Sequence, residues 1–157
     1  MTMQTPIRAL SVTQPWVTLI MTGQKRVETR SWGTSYRGPL AVHAAKGFPS
    51  WARDLCLTSP FFEALTEGRG ETQALRHPLG AVVAIVELVD MGRISSPEAF
   101  GYVLGANEIA FGDWTPSRCA WLLANARPLA EPIPARGAQG LWRWDAPADL
   151  ALAGGAR

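Results

Sequence analysis

The alternation of apolar and polar residues along the chain predicts about six short strands. The segment Gly80–Asp90 gives the clearest signal, because it is rich in β-branched residues and apolar on both faces, as in a central strand. No regular βαβα rhythm links it to its neighbours, which disfavours a doubly wound parallel sheet. The other predicted strands are Ile7–Val12, Arg26–Trp32, Pro39–Ala45, Cys119–Leu129 and Leu141–Trp144.

Helical periodicity follows the first strand. Trp16, Leu19 and Ile20 recur at i, i+3 and i+4 and give one apolar stripe. Pro15 suits the first turn of this helix, and Gly23 suits a left-handed C-cap. Further helices are predicted at Ser50–Leu57, Phe61–Leu65 and Ser96–Leu104, and exposed or irregular loops at Thr66–Pro78 and Gly105–Arg118.

These elements fit one α+β domain, a small and mostly antiparallel β-barrel of about six strands with short helices packed outside it. A chain of 157 residues is long enough for one domain with a real core and short for two. We assign residues 1–145 to this domain. Residues 146–157, which end in ALAGGAR, are expected to form a frayed or disordered tail.

The overall charge and the apolar content narrow the functional classes. A formal net charge of +2 excludes a polybasic protein that coats DNA, so any affinity for nucleic acid must come from a local patch. Seven tryptophans are many for this length; most should anchor the core, but indoles also stack on bases. No apolar run approaches a membrane span, and the N-terminus lacks the pattern of a secretory signal. We therefore expect a cytoplasmic protein without a membrane partner.

Cysteine and histidine are too scarce for a typical zinc site. Cys56 and Cys119 lie far apart without metal-like spacing, and His43 and His77 are the two histidines. A disulfide is arithmetically possible, but two buried thiols in a reducing compartment are favoured. We predict no metal and no cofactor.

The segment from residue 24 to residue 46 is the main functional candidate. It reads as a charged strand, a turn and an apolar strand, which predicts a hairpin. Because side chains alternate across a strand, Glu28, Arg30 and Trp32 should share one face, and Val27 and Thr29 the other. Folding alone does not require an acid, bases and an indole to project together. Against the single acid Glu28 stand five bases: Lys25, Arg26, Arg30, Arg37 and Lys46.

Closely spaced positions in the first quarter of the chain carry a specific pattern. They are Leu10-Ser11, Gln14-Pro15-Trp16, Gly23, Lys25, Val27-Glu28, Arg30-Ser31-Trp32 and Arg37-Gly38. The pattern resembles the signature of the ASCH domain, the activating signal cointegrator homology domain, and further matches continue to about Trp144. The resemblance implies a PUA-like β-barrel fold. It also implies binding of RNA, other nucleic acid or a modified nucleobase in a cleft beside the charged segment.

Some small members of that family resemble hydrolases. One group removes the acetyl group from acetylcytidine with a Lys-x-x-Thr-x-Arg pattern in which threonine is the expected nucleophile, and other members have been proposed to be ribonucleases. Here Lys25, Glu28 and Arg30 occupy the pattern, so Glu28 stands in place of the threonine. The nearest hydroxyl, on Thr29, is one residue out of step and should face the opposite side. The amidohydrolase chemistry therefore does not transfer directly. That group also has a second acidic residue from a later loop, for which Glu108 is the nearest candidate here.

Each candidate residue also has a plain structural interpretation. Glu28 and Arg30 could form only a surface ion pair. The resemblance instead favours a Glu28 carboxylate that accepts hydrogen bonds from a nucleobase, with the Arg30 guanidinium close to a phosphate or to the nucleobase. Lys25 is equally consistent with a solvated lysine, while Trp16 and His43 fit a core role better. The candidate base or nucleic-acid contacts are Ser11, Gln14, Trp16, Glu28, Arg30, Trp32, Arg37, His43 and Lys46.

Three functional hypotheses follow. The first is a domain that binds RNA or a nucleotide, reading a flipped or unpaired base with Glu28 while Arg37 and Lys46 hold phosphates. The second is a small hydrolase, an acetylcytidine-type amidohydrolase or a ribonuclease, in which Lys25 and Glu28 activate water and Glu108 is a further acidic candidate. The third is a coactivator-like protein-interaction module. Structural roles are assigned to Trp51, Trp121, Trp142 and Trp144, and an ion pair within their loop to Asp113 and Arg118.

Overall fold

A computed structural model of the protein describes residues 5–67, 70–96 and 104–152. Within these ranges the strands are β1 (Thr5–Val12), β2 (Val27–Arg30), β3 (Gly38–Ala44), β4 (Ala81–Arg93), β5 (Cys119–Pro134) and β6 (Leu141–Ala146). The helices are α1 (Trp16–Met21), α2 (Ser50–Cys56), α3 (Phe61–Thr66), α4 (Glu71–Leu75) and α5 (Ala106–Phe111). The six predicted strands are all present, and α1, α2 and α3 confirm the helices predicted at those places.

The strands form one sheet in the order β2-β5-β4-β3-β1-β6. β1 and β3 run parallel, with Leu10 opposite Val42, and the other neighbouring pairs are antiparallel. β4 lies between β5 and β3 and is buried from Ala81 to Val86, which confirms the central position predicted from its two apolar faces. The α+β class and the mostly antiparallel sheet are therefore confirmed.

The predicted hairpin between the charged strand and the following apolar strand is wrong. β2 pairs with β5, with Glu28 opposite Trp121, whereas β3 pairs with β1 and β4. Both strands are buried, β3 from Leu40 to Ala44 and β2 from Val27 to Thr29, so they differ in side-chain chemistry. β3 is largely apolar and lies inside the sheet, whereas β2 carries Glu28, Thr29 and Arg30, which suit an edge strand.

The sheet is not closed into a barrel, so that part of the prediction is not confirmed. In the described part of the chain, β2 is bonded only to β5, and β6 only to β1, which leaves two edges. The sheet is nevertheless strongly curved, because Val12 of β1 and Glu28 of β2 line the same cleft although three strands lie between β1 and β2 in the strand order. The cleft lies in the gap that a closed barrel would not have.

A small helical layer packs beside the sheet. Leu19 of α1, Cys56 of α2, Phe61 of α3 and Phe111 of α5 belong to one buried apolar cluster. Cys56 is a buried free thiol, and so is Cys119, as the sequence predicted. No helix among the described residues is both long and apolar enough to cross a membrane.

Two segments predicted as loops are partly helical. α4 lies within the segment Thr66–Pro78 and buries Ala74, and α5 lies within Gly105–Arg118 and buries Phe111. Helices of five or six residues complete too few turns to show a clear period, and they are stabilised by the packing of one or two side chains.

Two predicted segments lie partly outside the described residues. The helix predicted at Ser96–Leu104 falls mostly on residues 97–103, and the predicted tail ends in residues 153–157. Before that point, Leu150 and Leu152 pack against the apolar cluster around Trp144, and Leu152 forms an isolated bridge with Leu129.

Candidate functional site

A cleft opens between the first turn of α1 and the edge strand β2. Its volume is about 410 Å³, within the range of about 300–1,000 Å³ that is usual for small-molecule sites. We call it the Glu28 cleft, after the carboxylate on its wall. Aromatic residues from α1, α2, α3 and α5 line it, together with charged residues from β2 and from the loop after α5.

Glu28 lies between two cations. The Arg30 guanidinium is 3.4 Å from Glu28 Oε2, and Lys25 Nζ is 3.7 Å from Glu28 Oε1. Lys25 is fully buried in the turn before β2 and donates a hydrogen bond to the Val27 carbonyl, so its ammonium does not line the cleft. The Thr29 backbone N–H donates to Glu28 Oε1 at 3.1 Å and further fixes the carboxylate. The structure therefore brings Lys25, Glu28 and Arg30 together, but only the latter two reach the cleft wall.

Asp113 and Arg118 form a second charged pair on the cleft wall, as the sequence suggested. Arg118 Nε lies 3.4 Å from Asp113 Oδ2, and its terminal nitrogen donates to the Thr29 carbonyl at 3.1 Å. The Thr115 hydroxyl and the Thr115 backbone N–H donate to the Asp113 carboxylate and hold its pKa below the ordinary value. Asp113 is therefore ionised at neutral pH and adds a second carboxylate to the cleft.

Aromatic side chains supply the apolar part of the cleft. Trp51 is 58% exposed, and its ring centroid lies 5.9 Å from that of Trp16 at an interplanar angle of 48°. Trp16 is held by a hydrogen bond from its Nε1 to the Phe111 carbonyl at 2.7 Å and by an edge contact with Phe61. An exposed indole beside a fixed one offers a surface on which a base could stack.

Sequence reasoning missed Trp51, which it assigned to a structural role. The signal lies in α2, where Ala52 and Cys56 are buried. Trp51 and Leu55 form a second apolar pair at i and i+4, one residue earlier, and both line the cleft. A second apolar stripe on a short helix indicates a second contact surface. Trp16, for which a core role was favoured, both packs against the core and lines the cleft.

A separate polar cluster surrounds His43, which is buried. The His43 Nε2–H donates to the Ala135 carbonyl at 2.7 Å, so Nδ1 accepts from the Ser11 hydroxyl at 2.9 Å. The Trp142 Nε1–H donates to Ser11 Oγ at 3.1 Å. Gly137 packs directly against Ser11 and His43: a Cβ added at this position would lie 2.6 Å from Ser11 Oγ. The structure thus gives His43 the hydrogen-bonded core role, next to a groove that is distinct from the Glu28 cleft.

Gln14 and Arg37 do not line the Glu28 cleft. The buried Gln14 side chain accepts from the Thr18 backbone N–H and donates to the Pro78 carbonyl, both at 3.0 Å, which fixes the start of α1. Arg37 donates to carbonyls of its own loop and lies 3.6 Å from Asp90. Both residues are occupied with contacts that support the fold.

Trp32, Lys46 and Glu108 also lie outside the cleft wall. Trp32 packs edge-on against Trp121 at 4.9 Å, and the Arg30 guanidinium lies 5.9 Å from its ring, so Trp32 adjoins the cleft through Arg30. Lys46 is exposed on the groove beside His43's cluster, and Glu108 accepts from a backbone N–H just before β2. Across the described ranges, no three His, Cys, Asp or Glu side chains gather as metal ligands would.

Comparison with known proteins places this geometry in a family. A family model described as the ASCH domain matches residues 10–133, which is most of the chain. The protein belongs to the ASCH domain family. The resemblance found in the N-terminal pattern is thereby confirmed, and ASCH domains are generally associated with RNA binding.

Relatives and solved structures agree with this assignment. Activating signal cointegrator 1 from Homo sapiens is 28% identical to this ASCH domain over 137 residues, and the protein of the same name from Mus musculus is 27% identical. The match covers 87% of this chain and 22% of each relative, so the chain spans about a fifth of their length. The crystal structure of ASCH from Zymomonas mobilis has a TM-score of 0.50 at 14% identity, covering 86% of this ASCH domain and 85% of that chain, which shows a shared fold.

Proposed function

We propose that this ASCH domain binds RNA or a related nucleic acid by accepting an unpaired base, ordinary or modified, into the Glu28 cleft. The observation that carries the proposal is a carboxylate held between two cations on the wall of a cleft with aromatic sides. The general association of ASCH domains with RNA binding supports the same class of ligand.

Glu28 supplies a directed acceptor. An ionised carboxylate can only accept hydrogen bonds, so it favours bases that present amino or imino hydrogens, such as the amino group of cytosine. Lys25, Arg30 and the Thr29 backbone N–H hold the carboxylate in place before a ligand arrives. A preorganised acceptor loses little side-chain entropy on binding, which favours selectivity at this position.

Arg30 and Trp51 supply the complementary contacts. Arg30 is ion-paired on one side and its side chain is 27% exposed, so other N–H groups of its guanidinium remain for a phosphate or a base edge. Trp51 presents an exposed indole face at the same cleft. Stacking on an aromatic face together with hydrogen bonds to the base edge is the usual way in which proteins read unpaired RNA bases.

Catalysis by Lys25 and Glu28 has less support than binding. A lysine that acts as general base needs a free amine facing the substrate, whereas Lys25 is buried and bonded to the Val27 carbonyl. The hydroxyl nearest to the position of the family's threonine nucleophile is that of Thr29, and it accepts a hydrogen bond from the Asp113 backbone N–H at 2.9 Å. We therefore expect no product above the blank when the protein is incubated with acetylcytidine or with generic RNA.

The direct test is the binding of short single-stranded RNAs that differ in one base, measured by calorimetry at low salt. Trp51→Ala should weaken binding by about 1–3 kcal/mol, the usual contribution of a base stacked on an aromatic ring. Leu57→Ala is the matched control, because Leu57 is 45% exposed at the end of the same helix and does not line the cleft. Equal losses in both variants would contradict the role of Trp51.

Glu28→Gln tests which base is read. The amide introduces donors where the carboxylate only accepts, so the ranking of the bases should change more than the mean affinity. Thermal unfolding of the variant must accompany the titration, since Glu28 also partners the buried Lys25. A folded variant that loses equal affinity for every base would refute the reading role. Absence of any binding to RNA or nucleosides by the wild type would favour the protein-interaction alternative.

A further inference from the structure

Two more concave surfaces continue from the Glu28 cleft, one beside it and the other beyond that one. A hollow of about 360 Å³, which we call the Trp32 hollow, is lined by Ser11, Arg30, Trp32 and residues 138–140, and it shares Arg30 with the cleft. A groove of about 1,050 Å³, the Lys46 groove, shares Ser11 and residues 138–139 with the hollow. Three neighbouring depressions therefore follow one another from Trp51 to Lys46.

The charge is not uniform along this series. The Glu28 cleft holds carboxylates as well as arginines, whereas the Lys46 groove is lined by two cations, Lys46 and Arg136, and by no acidic residue. Both side chains are exposed, and no carboxylate in the described part of the chain lies within 4 Å of either. Unpaired Lys and Arg side chains in a groove are typical contacts for phosphate oxygens.

The middle of the series offers an aromatic surface. Trp32 is half-buried, and its edge-on contact with Trp121 fixes the orientation of its ring. The Trp121 Nε1–H donates to the Trp32 carbonyl at 3.2 Å and holds the backbone as well. Arg30 lies between this ring and Glu28. A base next to the one in the cleft would therefore meet a ring suited to stacking, and its phosphate would meet the Arg30 guanidinium.

The wall shared by the hollow and the groove is held in place. Residues 138–139 of this wall belong to the segment from Ala135 to Gly140. The His43 cluster anchors the segment through the bond from Nε2 to the Ala135 carbonyl and through the close packing of Gly137 on Ser11. Because this wall is already ordered before binding, a ligand that lies along it causes no further loss of conformational entropy in the wall.

We propose that the Glu28 cleft, the Trp32 hollow and the Lys46 groove form one track for an unpaired polynucleotide strand several nucleotides long. The inference rests on the proposed function and extends it. One base enters the cleft, a neighbouring base lies over Trp32, and Lys46 and Arg136 hold phosphates farther along the strand. The ligand class is thus single-stranded nucleic acid rather than a free nucleoside or nucleotide.

The test compares ligands of increasing length. Single-stranded RNAs and DNAs of two, four, six and eight nucleotides, each carrying the base preferred by the cleft, are titrated by fluorescence anisotropy at one low salt concentration. For the wild type we expect at least a tenfold gain in affinity between two and eight nucleotides. Tighter binding of the RNA series would assign RNA as the natural strand, and equal binding of both series would assign unpaired nucleic acid in general.

Two double variants that remove the same charge show which residues produce the gain in affinity with strand length. Lys46→Ala/Arg136→Ala should bring the eight-nucleotide affinity to within about threefold of the dinucleotide affinity and leave the latter unchanged. Arg93→Ala/Arg143→Ala removes the same charge from exposed residues outside the three depressions and should leave both affinities unchanged.

Two results would overturn the track while sparing the proposed function: a dinucleotide that binds as tightly as the longest strand, or equal losses in the two double variants. If no ligand of any length binds, the proposed function itself fails. An eight-base-pair duplex is the last ligand to be compared. It should bind less tightly than either single strand because its bases are paired.

Discussion

At the scale of single residues, Lys25 is the most unusual side chain. It is 1% exposed, although lysine is among the residues least often buried, and its ammonium is satisfied by the Val27 carbonyl and by Glu28. A buried charge without its partner is costly, whereas an apolar residue of similar length is tolerated. The pair therefore makes Glu28 a structural residue as well as a candidate reader of bases.

We predict that Glu28→Ala lowers the free energy of unfolding by about 3–5 kcal/mol, because it leaves the Lys25 charge buried without its carboxylate. Lys25→Met should cost much less, and Glu28→Ala in the Lys25→Met background should cost less than in the wild type. Urea denaturation of the four proteins gives the coupling energy. Arg143→Ala, which breaks an exposed ion pair with Asp145, is the control and should change stability by less than about 1 kcal/mol.

His77 makes stability depend on pH. Burial beneath the helical layer lowers the pKa of His77 below its ordinary value of 6.5. As pH falls through 6.5 the unfolded chain takes up a proton that the folded chain resists, so the stability linked to His77 is present above pH 6.5 and is lost below it. We expect the urea midpoint to fall between pH 7.5 and pH 5.5, and to fall less in His77→Gln. An equal fall in both proteins would contradict the assignment.

Residue chemistry was partly predictable from the sequence. The alternation in β2 placed Glu28 and Arg30 on one face, and the structure has them 3.4 Å apart on the cleft wall, but Thr29, which was predicted to face the opposite side, lines the same cleft. The burial of Lys25 was not predictable, because it depends on contacts from the turn before β2 that no periodicity records. Trp51 was missed for another reason: its apolar pair with Leu55 indicates a contact surface but does not tell whether the core or a ligand covers it.

At the scale of elements, the segment from Ala135 to Gly140 is closely constrained by its neighbours. Gly137 has no room for a side chain: an added Cβ would lie 2.6 Å from Ser11 Oγ and 2.7 Å from His43 Cε1. Its glycine is therefore required by close packing. A methyl group there would have to push the segment away from β1 and β3.

We predict that Gly137→Ala lowers stability by about 1–3 kcal/mol, the usual cost of overpacking. Thermal unfolding measures this loss, and the same variant should weaken binding of long single strands more than of dinucleotides. Gly47→Ala is the matched control, since an added Cβ at Gly47 meets nothing within 4 Å. If both variants unfold at the same temperature as the wild type, Gly137 is not constrained as described.

Element prediction succeeded where a strand has strong periodicity and failed where packing decides. β4, with its buried apolar run, was placed correctly at the centre of the sheet. The predicted partner of β2 was wrong, because adjacency in sequence suggested β3, whereas β2 pairs with the distant β5 and β3 pairs with β1 and β4. Pairing between distant strands leaves no signal in the local pattern. The short helices α4 and α5 are stabilised by tertiary contacts and leave almost no local signal.

At the scale of the whole molecule, the small net charge limits how the protein can bind nucleic acid. With a net charge of +2, affinity must come from a few placed cations rather than from a general positive field. The proposed track contains four cations, of which Arg118 is held by Asp113 and the Thr29 carbonyl, so three are counted as phosphate contacts: Arg30, Lys46 and Arg136. A weak dependence on salt is expected from so few contacts.

We predict a slope of log K against log salt of about −2 for an eight-nucleotide strand, from three phosphate contacts at about −0.7 each. Lys46→Ala/Arg136→Ala should make the slope shallower by about 1.4. Titrations between 50 and about 300 mM salt measure both values. A much steeper slope in the wild type would mean that many more cations take part than the track contains.

The open edge of β2 has a consequence for the behaviour of the protein in concentrated solution. Backbone groups on a free strand edge invite strands of other molecules, yet here they are occupied by side chains: Lys25 binds the Val27 carbonyl, Glu28 the Thr29 N–H and Arg118 the Thr29 carbonyl. Two of these three residues, Glu28 and Arg118, also line the cleft, so substitutions that empty the cleft of charge should also promote edge-to-edge aggregation.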